Sequence, residues 1–322
     1  MSYVELLESD PSHADSDTTH YATMQLFLLF GTFAACAWGL STPTPKKNYQ
    51  VNAPTRFKVN GNFGDVFGGA VSLALRVGSS ALVGGYSAEL AEAQEDSYTF
   101  ASALGYTVKE QGLARTRRPK KMLQLYEFEA CPFCQKVREA VAILDLDVEM
   151  FPCPKGGPTF RPKVLEMGGK AQYPYLVDPN TGVKMYESDD IIAYLFTTYG
   201  EEGERIPFTL YPSAITTVSA SLSRLPRLGK GSAFTESKQP KELLVFWGYD
   251  ASPFCKIVRE RLVELELPHI YKTTSRGSTK RNELWKLTGG KFQVPYLQDP
   301  NTGVALFESA DIVAYLNDVY AV

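Results

Sequence analysis

The sequence repeats itself. Cys131-Pro132-Phe133-Cys134-Gln135-Lys136-Val137-Arg138-Glu139 returns as Ser252-Pro253-Phe254-Cys255-Lys256-Ile257-Val258-Arg259-Glu260. Tyr175-Leu176-Val177-Asp178-Pro179-Asn180-Thr181-Gly182-Val183 returns as Tyr296-Leu297-Gln298-Asp299-Pro300-Asn301-Thr302-Gly303-Val304. A constant offset of 121 residues carries Cys134 onto Cys255, Pro174 onto Pro295 and Glu187 onto Glu308. A gap-free repeat far longer than the roughly 20–50 residues of a solenoid unit is a duplicated small domain. One difference bears on chemistry: Ser252 stands where the first copy has Cys131.

Within each copy the hydrophobic period changes in a fixed order. Leu123 to Phe128 alternates as a strand, and Leu243 to Trp247 does so more loosely. From Pro132 the pattern turns helical, with Phe133, Val137, Val141 and Leu144 on one stripe. Proline suits the first helical turn, where its missing N–H has no intrahelical partner. A second strand is expected at 148–151, and at 270–272 in the later copy. A short helix then ends at Gly168-Gly169 or Gly289-Gly290. A proline- and glycine-marked hairpin connection follows, and a last helix opens at Ser188 or Ser309. The order β-α-β-α-β-β-α, with cysteine at the first strand–helix junction, is the plan of a thioredoxin fold. The expected class is α/β: two tandem thioredoxin-fold domains at 121–200 and 241–322, each a mixed four-stranded sheet with flanking helices. Between them, 201–240 reads as a linker with one amphipathic helix at 214–225.

The front of the chain lacks such patterns. Residues 1–37 read as a leader, with a signal-peptide-like apolar segment at 24–37 that ends in Ala35-Cys36-Ala37. Its position favours Met24 as the true start, although Met24-Gln25 offers no basic side chain. Residues 38–120 are read as a transit-like and partly disordered extension. Up to Asn60 that stretch is basic and has no acid. Signal segment, aromatic Trp38 and transit segment together resemble the bipartite leader of algae with secondary plastids. Residues 66–86 are apolar and glycine-rich, interrupted by Arg76, and read as a packed or disordered extension, with a peripheral membrane contact or one against the first domain as the alternative.

A formal charge of −3 and a pI near 5.8 give no electrostatic reason to expect nucleic acid. Five cysteines in 322 residues do not make a disulfide scaffold. Cys131 stands at a helix N-terminus, where unpaired N–H groups and the helix dipole favour an anion. Its thiol should ionise below the free value of about 8.5, which makes it the attacking sulfur. Cys134, one turn deeper, is placed to resolve a mixed disulfide. Lys136 and Arg138 add positive charge nearby. No metal site is expected, because there is no second C-x-x-C or Cys/His pair. Cys255 reads as packing, and Cys153 as a bystander.

Cys-Pro-Phe-Cys, Tyr173-Pro174-Tyr175 and Glu187-Ser188 resemble the glutathione-binding N-terminal domain of glutathione transferases, with a glutaredoxin-like motif inserted. Ser-Pro-Phe-Cys, Val294-Pro295-Tyr296 and Glu308-Ser309 match in the second copy. Two such domains behind a plastid leader look like plant and algal plastid proteins with tandem transferase N-terminal domains. The resemblance implies cis peptide bonds at Pro174 and Pro295, with the backbone of Tyr173 or Val294 pairing with glutathione. It also implies that Glu187 and Ser188, or Glu308 and Ser309, hold the γ-glutamyl end, the serine serving as helix N-cap. Ser252 takes the place of the attacking cysteine, as in transferases that activate bound glutathione through a hydroxyl.

The leading expectation is a plastid glutathione-linked thiol–disulfide oxidoreductase, with Cys131 as nucleophile, glutathione as co-substrate, and protein thiols or disulfides as partners. The alternatives are a transferase acting on small electrophiles and a non-catalytic glutathione-binding scaffold. Against the transferase, no all-helical C-terminal domain is expected. An iron–sulfur cluster bridged by Cys131 and glutathione from two chains is a minor option, which Pro132 disfavours.

Overall fold

The computed structural model describes residues 87–92, 97–99, 102–103, 106–111, 117–201, 205–207, 210, 227 and 229–322. The leader, the stretch 66–86 and the helix expected at 214–225 lie outside them. The first described element is a small antiparallel sheet of β1 (Ser87–Glu92), β2 (Ser102–Ala103) and β3 (Tyr106–Gln111), ordered β1-β3-β2. Nothing in the hydrophobic pattern announced it.

The first module follows as β4 (Leu123–Glu127), α1 (Pro132–Ile143), β5 (Asp147–Pro152), α2 (Phe160–Gly168), β6 (Tyr175–Val177), β7 (Lys184–Met185) and α3 (Ser188–Tyr199). The second repeats it as β8 (Leu244–Gly248), α4 (Pro253–Glu264), β9 (His269–Thr273), α5 (Lys280–Leu287), β10 (Tyr296–Asp299), β11 (Val304–Phe307) and α6 (Ser309–Tyr320). In each, the first two strands are parallel, the third runs antiparallel to the first and the fourth antiparallel to the third, giving two thioredoxin-fold sheets. The six helices among the described residues all belong to these modules.

Alternation puts Leu123 and Leu125 into the core while Gln124 stays partly exposed. Val137, Val141 and Leu144 bury as the helical stripe requires. Phe133 does not: it stands in the first turn of α1, 45% exposed beside the Cys131 cap. At the hairpin between β6 and β7, Asp178 accepts hydrogen bonds from Tyr194, Tyr199 and Asn180, and Asp299 does the same with Tyr315, Tyr320 and Asn301.

The modules are not beads on a linker. Edge strands β5 and β9 pair antiparallel, fusing both sheets into one of eight strands, β11-β10-β8-β9-β5-β4-β6-β7. Glu149 faces Ile270, its own counterpart in the repeat, so a local two-fold passes through that pair. The pairing also covers one exposed edge of each module, which would otherwise invite association with another chain. One apolar core, with Leu125, Val137 and Ile192 from the first copy and Phe246, Val258 and Ile312 from the second, runs through both.

Charges lock the seam. Glu129 is buried against Arg138 of its own module at 3.0 Å and against Lys256 and Arg259 of the other at 2.9 and 3.0 Å. Asp250, the counterpart of Glu129, meets Arg259 at 3.1 Å. The acids at the left-handed turns after α1 and α4 are exchanged. Glu266 accepts from the Thr159 and Phe160 amides at the start of α2, and Asp145 accepts from Ser278 and Lys280 at the start of α5. Residues 229–240 strap the seam rather than swing. Ala233 bridges to Lys155, the Thr235 amide donates to the Glu264 carbonyl, and Lys238 donates to that of Tyr320. Gly231 has φ +73, and a Cβ there would stand 2.8 Å from Cβ of Glu129, so only glycine fits.

Two consequences can be measured by urea unfolding. Glu129→Ala leaves three buried cations short of their shared carboxylate and should cost about 3–5 kcal/mol. The exposed Glu283 of the Lys272 pair should cost at most about 1 kcal/mol when replaced by alanine. Burial pushes His269 on β9 down from 6.5 to about 4. The unfolded chain takes up a proton near pH 6.5 that the folded chain refuses until about pH 4, so stability held above pH 6.5 is lost as the pH falls. His269→Gln should reduce the stability difference between pH 7 and pH 4.5 by about 2–3 kcal/mol.

Candidate functional site

The chain leaves β4 at Glu127 and reaches α1 through a tight turn closed by the Cys131 amide on the Phe128 carbonyl at 3.1 Å. Cys131 is the N-cap of α1, with extended backbone (φ −88°, ψ 121°) and Pro132 next to it. Its Sγ accepts the Cys134 N–H at 3.3 Å and lies 3.9 Å from the Tyr173 carbonyl. The Tyr173–Pro174 and Val294–Pro295 bonds are both cis. Cys131 is 5% exposed, and Cys134 is fully buried. Ser252 repeats the cap in the second copy with φ −92° and ψ 121°, its Oγ accepting from the Cys255 amide at 3.3 Å. The cap geometry is the same; the sulfur is not.

Hydrogen bonds from the Cys134 side chain and amide hold the Cys131 thiol below its ordinary pKa, outweighing its burial. Burial drives Cys134 and Cys153 well above theirs and pushes Cys255 up to about 11. The chain thus has one activated thiol among its described cysteines. The positive charge expected from Lys136 and Arg138 is spent elsewhere. Lys136 pairs with Asp189 on α3, and Arg138 pairs with Glu127 and Glu129. Both side chains are buried, because the face of α1 that carries them packs inward. Activation of Cys131 is a matter of the first helical turn. Glu127, which has Gly248 as its counterpart, is raised by burial to about 7, and its charge opposes ionisation of Cys131.

Glu187 and Glu308 precede the last helices at φ +63° and +67°, a left-handed conformation that costs a non-glycine residue about 1–3 kcal/mol. These glutamates occupy the N-cap position, not the serines. Neither glutamate makes a side-chain cap hydrogen bond, and Ser188 and Ser309 are the buried first residues of the helices. The physical reason is the left-handed turn, which completes the chain reversal one residue early. Gln172 donates to Glu187 at 2.6 Å, and Gln293 pairs with Glu308 in the same way. These glutamines were legible: both sit two residues before the cis proline in a repeat already recognised. Arg161 was not, although its guanidinium lies over the rings of Phe128 (5.7 Å) and Tyr173 (4.8 Å), which flank Cys131. Cys131, Tyr173 and Pro174 are therefore brought together, as are Glu187 and Ser188 at the start of α3. Ser252, Val294, Pro295, Glu308 and Ser309 occupy the equivalent places in the second module. Among the described residues, no group of three or more His, Cys, Asp or Glu is placed to hold a metal ion.

Residues 125–203 and 246–321 each match the family model described as glutathione S-transferase, N-terminal domain. The chain therefore carries two domains of that thioredoxin-like type in tandem, a type that points to glutathione-related function. No curated protein matches the chain. Among solved structures, a Bombyx mori glutathione transferase in complex with GTT is 26% identical over 29% of this chain and 42% of its own, with a TM-score of 0.26. A second structure of a Bombyx mori glutathione transferase is 15% identical over 46% of this chain and 81% of its own, with a TM-score of 0.26. A trimeric glutathione transferase of Leishmania is 14% identical over 63% and 67%, with a TM-score of 0.23. This chain spans 42% of the length of the first. The family match, rather than these likenesses, carries the comparison.

The thiol assignments can be read by alkylation with iodoacetamide across pH 5–10 and peptide mapping. Because the Cys131 pKa is lowered, its thiolate persists to lower pH, and its rate profile should rise with a midpoint below about 8.5. Cys134, Cys153 and Cys255 should label only after unfolding.

Proposed function

We propose that this chain is a glutathione-linked thiol–disulfide oxidoreductase in which the first module does the chemistry. The observation that carries the reading is the Cys131 sulfur: capping α1, lowered in pKa, and set against the Tyr173 carbonyl. Glutathione would lie along that loop, its cysteinyl backbone on Tyr173 beside Pro174. Its γ-glutamyl end would meet Glu187 and the amides at Ser188, where a helix N-terminus favours a carboxylate. Ser252, Val294, Pro295, Glu308 and Ser309 form the corresponding surface in the second module.

The Cys131 thiolate attacks the glutathione sulfur of a protein–glutathione mixed disulfide. That S–S bond breaks as the Cys131–glutathione disulfide forms, and the protein sulfur leaves as thiolate and takes a proton from water. The thiolate of a second glutathione then attacks the bound glutathionyl sulfur. Glutathione disulfide departs, and the Cys131 thiolate is restored. Protein sulfur is reduced and glutathione is oxidised, two electrons in each turnover. Cys134 offers an internal route, but its raised pKa keeps it protonated at neutral pH. In this reading the external thiol completes the cycle, with Cys134 as the internal alternative. Protein thiols and disulfides are the clients in this reading. The plastid is its compartment, on the strength of the signal-like and acid-poor segments at 24–60.

Turnover is measured with a glutathionylated peptide and reduced glutathione. Cys131→Ser should fall to the uncatalysed background. Cys134→Ser should stay within about threefold of the natural chain, because the external route remains, and Cys255→Ser should stay close to it. Full turnover by Cys131→Ser overturns the assignment.

A further inference from the structure

Apart from Ser252 for Cys131 and Val294 for Tyr173, the two modules keep the residues of the candidate glutathione site and differ beside it. Gln172, Glu187 and Ser188 are kept as Gln293, Glu308 and Ser309. In contrast, Lys155, Phe160, Arg161 and Ala171 become Arg276, Arg281, Asn282 and Phe292. All four replacements touch the same thing, the segment before the first module.

Tyr98 lays its ring on Phe292, with centroids 4.5 Å apart. Its hydroxyl accepts from Arg281 Nη1 at 2.7 Å, and its amide donates to Asn282 Oδ1 at 3.2 Å. From β3, Glu110 pairs with Arg276 and stands 3.6 Å from Arg281. The Glu110 side chain is 4% exposed, so this carboxylate is an interior partner of two guanidiniums. Arg281 lies over Tyr249 (5.7 Å), Phe292 (4.9 Å) and Tyr98 (5.5 Å). Tyr249 closes the turn onto Ser252, and Phe292 comes two residues before Val294. The stack therefore rests on residues that adjoin both the Ser252 cap and the Val294–Pro295 turn. In the first module Arg161 lies over Phe128, the counterpart of Tyr249, and over Tyr173, and among the described residues no ring from outside the module stacks there.

We propose that the groove of the second module is a binding site for a peptide carrying an aromatic residue and a carboxylate, and that its occupant is the chain's own segment bearing Tyr98 and Glu110. The docked segment excludes glutathione from the Ser252 side. The first module is left as the one site open to it. Arg276 and Arg281 are the anion-recognising groups, and Glu110 neutralises them from within the chain. Retention of Glu308 and Ser309 then reflects the turn they build.

Hydrogen–deuterium exchange of the full chain tests this, with and without reduced glutathione, on the natural sequence and on the double variant Tyr98→Ala, Glu110→Gln. Without ligand, amides at 97–99 and 106–111 should be protected in the natural chain and lose about tenfold in the variant, with 292–297 loosening alongside. With glutathione, the natural chain should gain protection at 172–176 and 187–191 only, and the variant should gain it also at 293–297 and 308–312. Glutathione protection of 308–312 in the natural chain overturns the proposal. So does a variant that releases the segment yet gains none there while the first module still binds. If glutathione protects neither module, the oxidoreductase reading fails, and the ligand-free comparison alone decides this one: no protection of 97–99 and 106–111, or no change in the variant, overturns it.

Discussion

The antiparallel pairing of β5 with β9 is the constraint on which the molecule is built. Each strand would be the exposed edge of a four-stranded sheet if its module stood alone. Joined, they place Arg138 on α1 and Arg259 on α4 within reach of the same buried carboxylate, Glu129. Such a cluster is tolerable in a dry interior only when every charge has a partner, and those partners come from different copies of the repeat. The exchange of Asp145 and Glu266 between modules follows from the same two-fold. Removing the seam would strand buried charges on both sides.

Within that frame the duplicated site has diverged. Both caps have the same backbone, the same proline and the same amide hydrogen bond, so each offers its first helical turn to an electron-rich atom. Only the first module puts sulfur there. The second presents the Ser252 hydroxyl instead, and its one sulfur, Cys255, is buried, with its pKa raised to about 11. The first also carries Glu127 where the second has Gly248, a buried acid whose charge works against the thiolate. The sulfur is therefore tuned by opposing groups a few residues apart in the chain.

Much of this was legible in the residues. The 121-residue offset and the change from two-fold to helical periodicity specified two thioredoxin-like modules, because both signals are local and occur twice. The cap at Cys131 was legible for the same reason. Other features depend on groups far apart in sequence. Lys136 and Arg138 read as a field for the thiol, but a linear pattern does not show which face of α1 is buried or which acids wait there. Glu187 displaced Ser188 from the cap because a left-handed turn overrode side-chain preference. The sheet at 87–111 was not legible because β2 has two residues and β1, Ser-Ala-Glu-Leu-Ala-Glu, is built of helix-favouring alanine, glutamate and leucine. The β5–β9 seam lies more than a hundred residues apart in the chain, beyond any periodicity.

The central claim is that one sulfur, Cys131, is set apart from the rest by the helix it caps. The most direct measurement is intact-mass and peptide mass spectrometry of the reduced chain after brief exposure to glutathione disulfide at pH 7. The account predicts a glutathionyl adduct at Cys131, or a Cys131–Cys134 disulfide formed from it, with Cys153 and Cys255 untouched. An adduct first at Cys153 or Cys255, or an unreacted Cys131, would contradict it.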